Sequence, residues 1–118
     1  MKNLGVLYRD GRGVARDFTE ARKWFERAAA AGHSDSMVSV GYMYEMGNGV
    51  PKDVVEARKW YEKAALAGNA VGMTNLGNLY RDGRGVTQDR SEARKWFEKA
   101  AAAGNERAKV ALQKLDSP

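Results

Sequence analysis

The sequence predicts an all-α solenoid of stacked antiparallel helix pairs, and three observations carry that expectation. The stretch EARKWFERAAAAG at residues 20–32 recurs as EARKWYEKAALAG at 56–68 and as EARKWFEKAAAAG at 92–104. Trp24, Trp60 and Trp96 therefore stand 36 residues apart, a fixed period in the range of stacked repeats. Each copy also follows a second apolar segment and a glycine-bearing loop, so one period holds two helices.

The first helix of each period, helix A, is read from MKNLGVLY at residues 1–8, MVSVGYMY at 37–44 and MTNLGNLY at 73–80. Leu4, Leu7 and Tyr8 share one face at helical spacing, as do Val40, Met43 and Tyr44, and Leu76, Leu79 and Tyr80. A glycine inside each copy (Gly5, Gly41, Gly77) costs about 1 kcal/mol against alanine, so its recurrence calls for a close contact. The expectation is that the partner helix approaches there and that its tryptophan or tyrosine fills the gap.

Helix A stops at RDGRGV, EMGNGV and RDGRGV, where Gly11, Gly47 or Gly83 is placed for a left-handed cap. The glycine pairs lack the lysine-threonine ending and preceding strand of a phosphate loop. Asp17, Asp53 and Asp89 each precede a glutamate by three residues, the aspartate form of a capping box, so helix B starts near residues 18, 54 and 90. That placement makes the acidic pairs helix caps rather than general acids and bases. Helix B runs to Gly32, Gly68 or Gly104.

One stripe of helix B is apolar: Ala21, Trp24, Phe25 and Ala28, with Ala57, Trp60, Tyr61 and Ala64, and Ala93, Trp96, Phe97 and Ala100. Rings beside small residues let helices pack closely between repeats. The opposite face mixes signs at spacings of three and four, as a solvated face does. Asn69 and Asn105 are placed to cap the following helix A, and His33 fills the same slot in a capping or solvent role. Residues 106–115 (ERAKVALQKL) repeat helix A alone, with Lys109 and Gln113 replacing methionine and glycine, as suits a terminal cap facing water. The expected organisation is one domain over residues 1–118: repeats at about 1–33 with a truncated first helix, 34–69 and 70–105, a capping helix at 106–115 and a tail at 116–118.

Composition narrows function. The 118 residues include no cysteine and one histidine, which leaves neither a disulfide framework nor a His/Cys metal centre, and no cofactor is expected. The formal charge of +5 divides as +3 over residues 1–33, −1 over 34–69, +2 over 70–105 and +1 over 106–118, so the middle period interrupts any basic stripe. No apolar run approaches a membrane span or a signal-peptide core. The expected location is the cytoplasm, or the periplasm or exterior had a leader been removed.

The third period shows a family pattern most fully: Leu76-Gly77, Tyr80, Gly83, Gly85-Val86, Asp89, Ala93, Trp96-Phe97, Lys99-Ala100-Ala101 and Gly104. This resembles the Sel-one-like repeat, a relative of the tetratricopeptide repeat with a longer loop between its helices. The likeness covers about residues 1–105 and recurs in register three times. It implies a right-handed superhelix with helices A on the concave side, used mostly by adaptors that bind peptides or partner proteins. Ligand contacts in tetratricopeptide relatives fall at helix A positions that correspond here to Lys2, Val38 and Thr74, to Val6, Tyr42 and Asn78, and to Arg9, Glu45 and Arg81. These are also the positions that differ most between copies, and Tyr42 is the best anchor among them.

The leading expectation is thus a non-enzymatic scaffold for a protein or peptide, with self-association through the open N-terminal end as a further expectation. The alternative is a basic nucleic-acid or anionic-polymer binder using Arg9, Arg12, Arg16, Arg81 and Arg84, or a consensus-like array with no native ligand. A hydrolase stands third, because no serine or lysine sits in a nucleophile motif with a matching base.

Overall fold

The computed structural model describes residues 18–116, and among them the backbone forms six helices and no strand. Helices B are α1 (Phe18–Ala30), α3 (Val54–Leu66) and α5 (Arg90–Ala102); helices A are α2 (Ser34–Met46) and α4 (Ala70–Asp82); α6 (Glu106–Asp116) closes the series. The expected first helix A, its loop, the Asp17 cap and the open N-terminal end lie outside the described residues.

Local signals place the helix ends. Asp53 accepts from the Glu56 amide at 3.1 Å and Asp89 from the Glu92 amide at 3.0 Å. The capping box is only half realised, which corrects the sequence expectation. The aspartate amides donate to the Tyr44 and Tyr80 carbonyls of helix A, at 2.9 and 2.8 Å, so the glutamates have no donor to reach back to. Their carboxylates pair instead with Lys59 and Lys95. At the other end of α3, the Gly68 amide donates to Ala65 and the Asn69 amide to Ala64, a double closure that needs the left-handed φ of +87° at Gly68. The same two bonds recur at Gly32 and Gly104. Asn69 and Asn105 then cap α4 and α6, each accepting an amide at 3.0 Å. His33 precedes α2 exposed to solvent, with no side-chain cap bond.

Consecutive helices pack in order, and α2 also touches α4. The core is a series of clusters, each joining a helix B to the next helix A or to α6. Ala21 and Phe25 meet Val40 and Met43; Ala57, Tyr61 and Ala65 meet Leu76 and Leu79; Ala93, Phe97 and Ala100 meet Ala108, Ala111 and Leu115. Full burial of one such large side chain contributes about 1.5–3 kcal/mol. The helix A glycines serve the contact inside each pair: a Cβ on Gly41 would lie 2.6 Å from the Tyr61 ring, and one on Gly77 2.6 Å from the Phe97 ring.

In both described gaps the ring is thus the aromatic that follows the tryptophan, not the tryptophan itself. Phe25, Tyr61 and Phe97 are fully buried, while the three tryptophans are half-buried at the margin of the stripe. Trp60 and Trp96 each lean on the cluster that joins their own repeat to the preceding one. Arg27, Lys63 and Lys99, one turn along, cover Trp24, Trp60 and Trp96 at 5.5, 4.4 and 4.8 Å from the ring centres.

Candidate functional site

Helices A and α6 share one face, and a groove of about 400 Å³ runs across it. Tyr42 and Met46 come from α2, Asn75, Asn78 and Arg81 from α4, and Arg107, Val110 and Lys114 from α6. A smaller hollow of about 310 Å³, with Val38 and Val71 in its wall, adjoins it and shares Tyr42, Asn75 and Arg107. The spacing explains the grouping. Asn75, Asn78 and Arg81 are successive turns of one helix face, and Arg107, Val110, Ala111 and Lys114 follow the i, i+3, i+4, i+7 rule on another.

The sequence-derived positions divide into three sets. Lys2, Val6 and Arg9 lie outside the described residues. Tyr42, Val38, Asn78 and Arg81 come together on the groove face; Tyr42 is 46% exposed and the others are half-buried. Thr74 and Glu45 border the groove but are committed to the fold. The Thr74 hydroxyl donates to the Ala70 carbonyl at 2.9 Å, and at 2% exposure burial keeps the remaining acceptor lone pairs from a partner. Glu45 accepts from the Tyr61 hydroxyl at 2.6 Å through one oxygen and from Arg84 at 2.8 Å through the other. Burial, reinforced by that carboxylate, pushes the Tyr61 phenol above its ordinary range.

Electrostatics sort the remaining charges. Arg81 forms a two-pronged pair with Asp82, at 2.9 and 3.1 Å, which holds the Asp82 carboxyl below its usual range and raises Arg81. The Arg81 guanidinium also sits 6.0 Å from the Phe97 ring centre. Arg107 reaches, among the described residues, only the Asn75 amide oxygen, at 3.3 Å. Among the described residues, no three His, Cys, Asp or Glu side chains gather as a metal site, and no helix is long and apolar enough to cross a membrane.

Sequence reasoning missed Met46, Val71, Asn75, Arg107, Val110 and Lys114. Helical spacing held the signal for two sets of them: Asn75 lies one turn before Asn78, and α6 repeats helix A with Arg107, Val110 and Lys114 along one face. Asn75 falls outside the three contact offsets of the resemblance, and a helix read as a terminal cap carries no contact position.

The Sel1 repeat family model matches residues 1–33, 34–69 and 70–105. The chain belongs to the Sel1 repeat family. Among solved structures, this Sel1 repeat chain is similar to a Sel1 repeat protein from Oxalobacter formigenes, at 35% identity and a TM-score of 0.88, over 94% of this chain and 46% of that one. It is similar to a protective antigen of uropathogenic Escherichia coli displaying an SLR fold, at 39% identity and 0.87, over 91% of this chain and 23% of that one. It is also similar to cysteine-rich protein B of Helicobacter pylori, at 30% identity and 0.76, over 79% and 70%. The chain thus spans less than half the length of the first two. A comparison with curated proteins finds no match. Sel1 repeats typically form protein-interaction modules on a scaffold that is typically non-catalytic, and this chain builds that all-α repeat solenoid without a cysteine.

Proposed function

We propose that this Sel1 repeat array is a non-enzymatic adaptor that holds a segment of a partner protein in the groove across α2, α4 and α6. One observation carries the reading. Of the six large hydrophobic side chains that stand exposed among the described residues, four (Tyr42, Met46, Val71 and Val110) border this face, at 40–47% exposure. Exposed apolar groups gathered on one face and edged by polar ones are the signature of a binding surface. The anionic-polymer reading has less behind it, because Arg81 and Arg84 are each neutralised by a carboxylate.

Selection of a phage-displayed random peptide library against the chain tests the proposal. Enriched peptides should lose binding to a Tyr42→Ala, Val110→Asp double variant that keeps its helical circular dichroism. Peptides that hold equally well to that variant place the binding surface elsewhere.

A further inference from the structure

The groove has an unbalanced charge, and its distribution names the chemistry of an occupant. Glu45, the acid at the groove, has both oxygens engaged by Tyr61 and Arg84. Arg81 is satisfied by Asp82. What remains is on α6. Arg107 and Lys114 are exposed and, among the described residues, neither has a carboxylate within reach; Arg107 touches only an uncharged amide. They stand seven residues apart on one helix face, roughly 10 Å along the axis. Between them lie Val110, 47% exposed, and Ala111, and across the groove stand Tyr42 and Met46, 46% and 45% exposed. Among the described residues, the site is an apolar seat with an unpaired cation at either end.

Resting on the groove reading above, we infer that the occupant is an acidic, apolar peptide segment. Its bulky apolar side chain sits among Tyr42, Met46 and Val110, and its flanking carboxylates reach Arg107 and Lys114. In a polyproline II chain, which turns once in three residues and rises roughly 3.1 Å per residue, side chains three apart share one face roughly 9 Å apart, so the segment carries two acids separated by two residues, at least one of them apolar. The asparagines suit such a chain. Asn78 has no partner among the described residues and offers both a donor and an acceptor to a peptide backbone. A basic segment meets two uncompensated cations. A nucleic acid finds only those two, where phosphate-driven binding draws on many.

The probe is an acetylated, amidated and fluorescein-labelled hexapeptide, Gly-Glu-Phe-Leu-Glu-Gly, titrated onto the full chain by fluorescence polarisation. Its Gln-for-Glu and Lys-for-Glu counterparts are run beside it. The acidic peptide should bind about tenfold more tightly than the Gln form, the effect of two partly exposed charge pairs. An Arg107→Gln, Lys114→Gln variant should erase that difference, and Arg107→Glu, Lys114→Glu should transfer the preference to the Lys peptide. All four substitutions are at exposed positions, and circular dichroism confirms folding. If the Gln peptide binds as tightly as the acidic one and Tyr42→Ala weakens both, the groove reading stands and the acidic preference is wrong. If no peptide binds and the phage selection also yields none, both fall. A single-stranded oligonucleotide that displaces the acidic peptide at lower concentration than the unlabelled peptide itself overturns the inference in favour of an anionic polymer.

Discussion

The Tyr61 hydroxyl donates to the Glu45 carboxylate across 2.6 Å, joining α3 to α2 inside one repeat, while Arg84 from the next repeat takes the other carboxylate oxygen. The third period solves the same position differently. There Phe97 replaces the tyrosine, and Arg81, one period after Glu45, lays its guanidinium 6.0 Å from that ring's centre. Aromatic and charge have changed together, so the two periods carry interchangeable local solutions rather than one fixed motif.

Tyr61→Phe should cost about 1.5–3 kcal/mol at neutral pH, the value of a hydrogen bond to a charged acceptor. The pH dependence is sharper. The folded phenol is raised above its ordinary value of 10.0, so the native state keeps a proton that the unfolded chain releases above that pH. Stability from this group is present below about pH 10 and is lost as pH rises further, by about 1.4 kcal/mol per pH unit for one proton. Urea unfolding from pH 8 to 11 should show the wild type losing its advantage over Tyr61→Phe above pH 10. Parallel decline of the two proteins would contradict the assignment.

Gly77→Ala should destabilise the fold even though alanine is the better helix former. The new Cβ would stand 2.6 Å from the buried Phe97 ring, an overpacking of about 1–3 kcal/mol set against a propensity gain of about 1 kcal/mol. Thermal unfolding reads the difference. Adding Phe97→Leu should cost less in the Gly77→Ala background than in the wild type, because both changes act on one contact.

Ser36→Ala should stabilise. Ser36 is fully buried, and its hydroxyl has no hydrogen-bond partner among the described residues. Ala108 occupies the corresponding place in α6 and is fully buried without that burden. Removing the orphan group is worth about 1 kcal/mol, a midpoint rise of roughly 4 °C for a chain of this size. A lower midpoint would show that the hydroxyl is satisfied after all.

Asp53→Ala and Asp89→Ala should each cost about 1 kcal/mol, the value of an N-cap, whereas asparagine at either position should be nearly neutral. Equal losses from alanine and asparagine would mean that charge, rather than cap geometry, is what matters there.

The features legible in the sequence are those decided within one helix pair. The period, the glycine beneath an aromatic ring and the capping aspartates all rest on contacts repeated in register, so each is written up to three times. The groove was harder to read. Glu45 looked like a specificity position because it differs from Arg81, yet that difference answers Tyr61 in its own repeat and Arg84, 39 residues away, in the next. A contact made once between repeats leaves no periodic trace. Thr74 shares a repeat offset with Val38, yet its side chain is buried and bonded within its own helix, which the offset alone does not reveal.

Arg84 is one of two latches that set how neighbouring repeats lie. On the loop margin it ties the third period to Glu45 of the second, and Gly85 lies so close that a Cβ there would come within 2.7 Å of the Val54 carbonyl. On the opposite margin the Asn69 amide donates to Ser34 at 3.1 Å and to Asp35 at 2.8 Å. With both edges fastened, the spacing between α2 and α4 is fixed by the folded chain before anything enters between them. Under the adaptor reading, the entropy of setting α2 against α4 is therefore lost at folding rather than at binding.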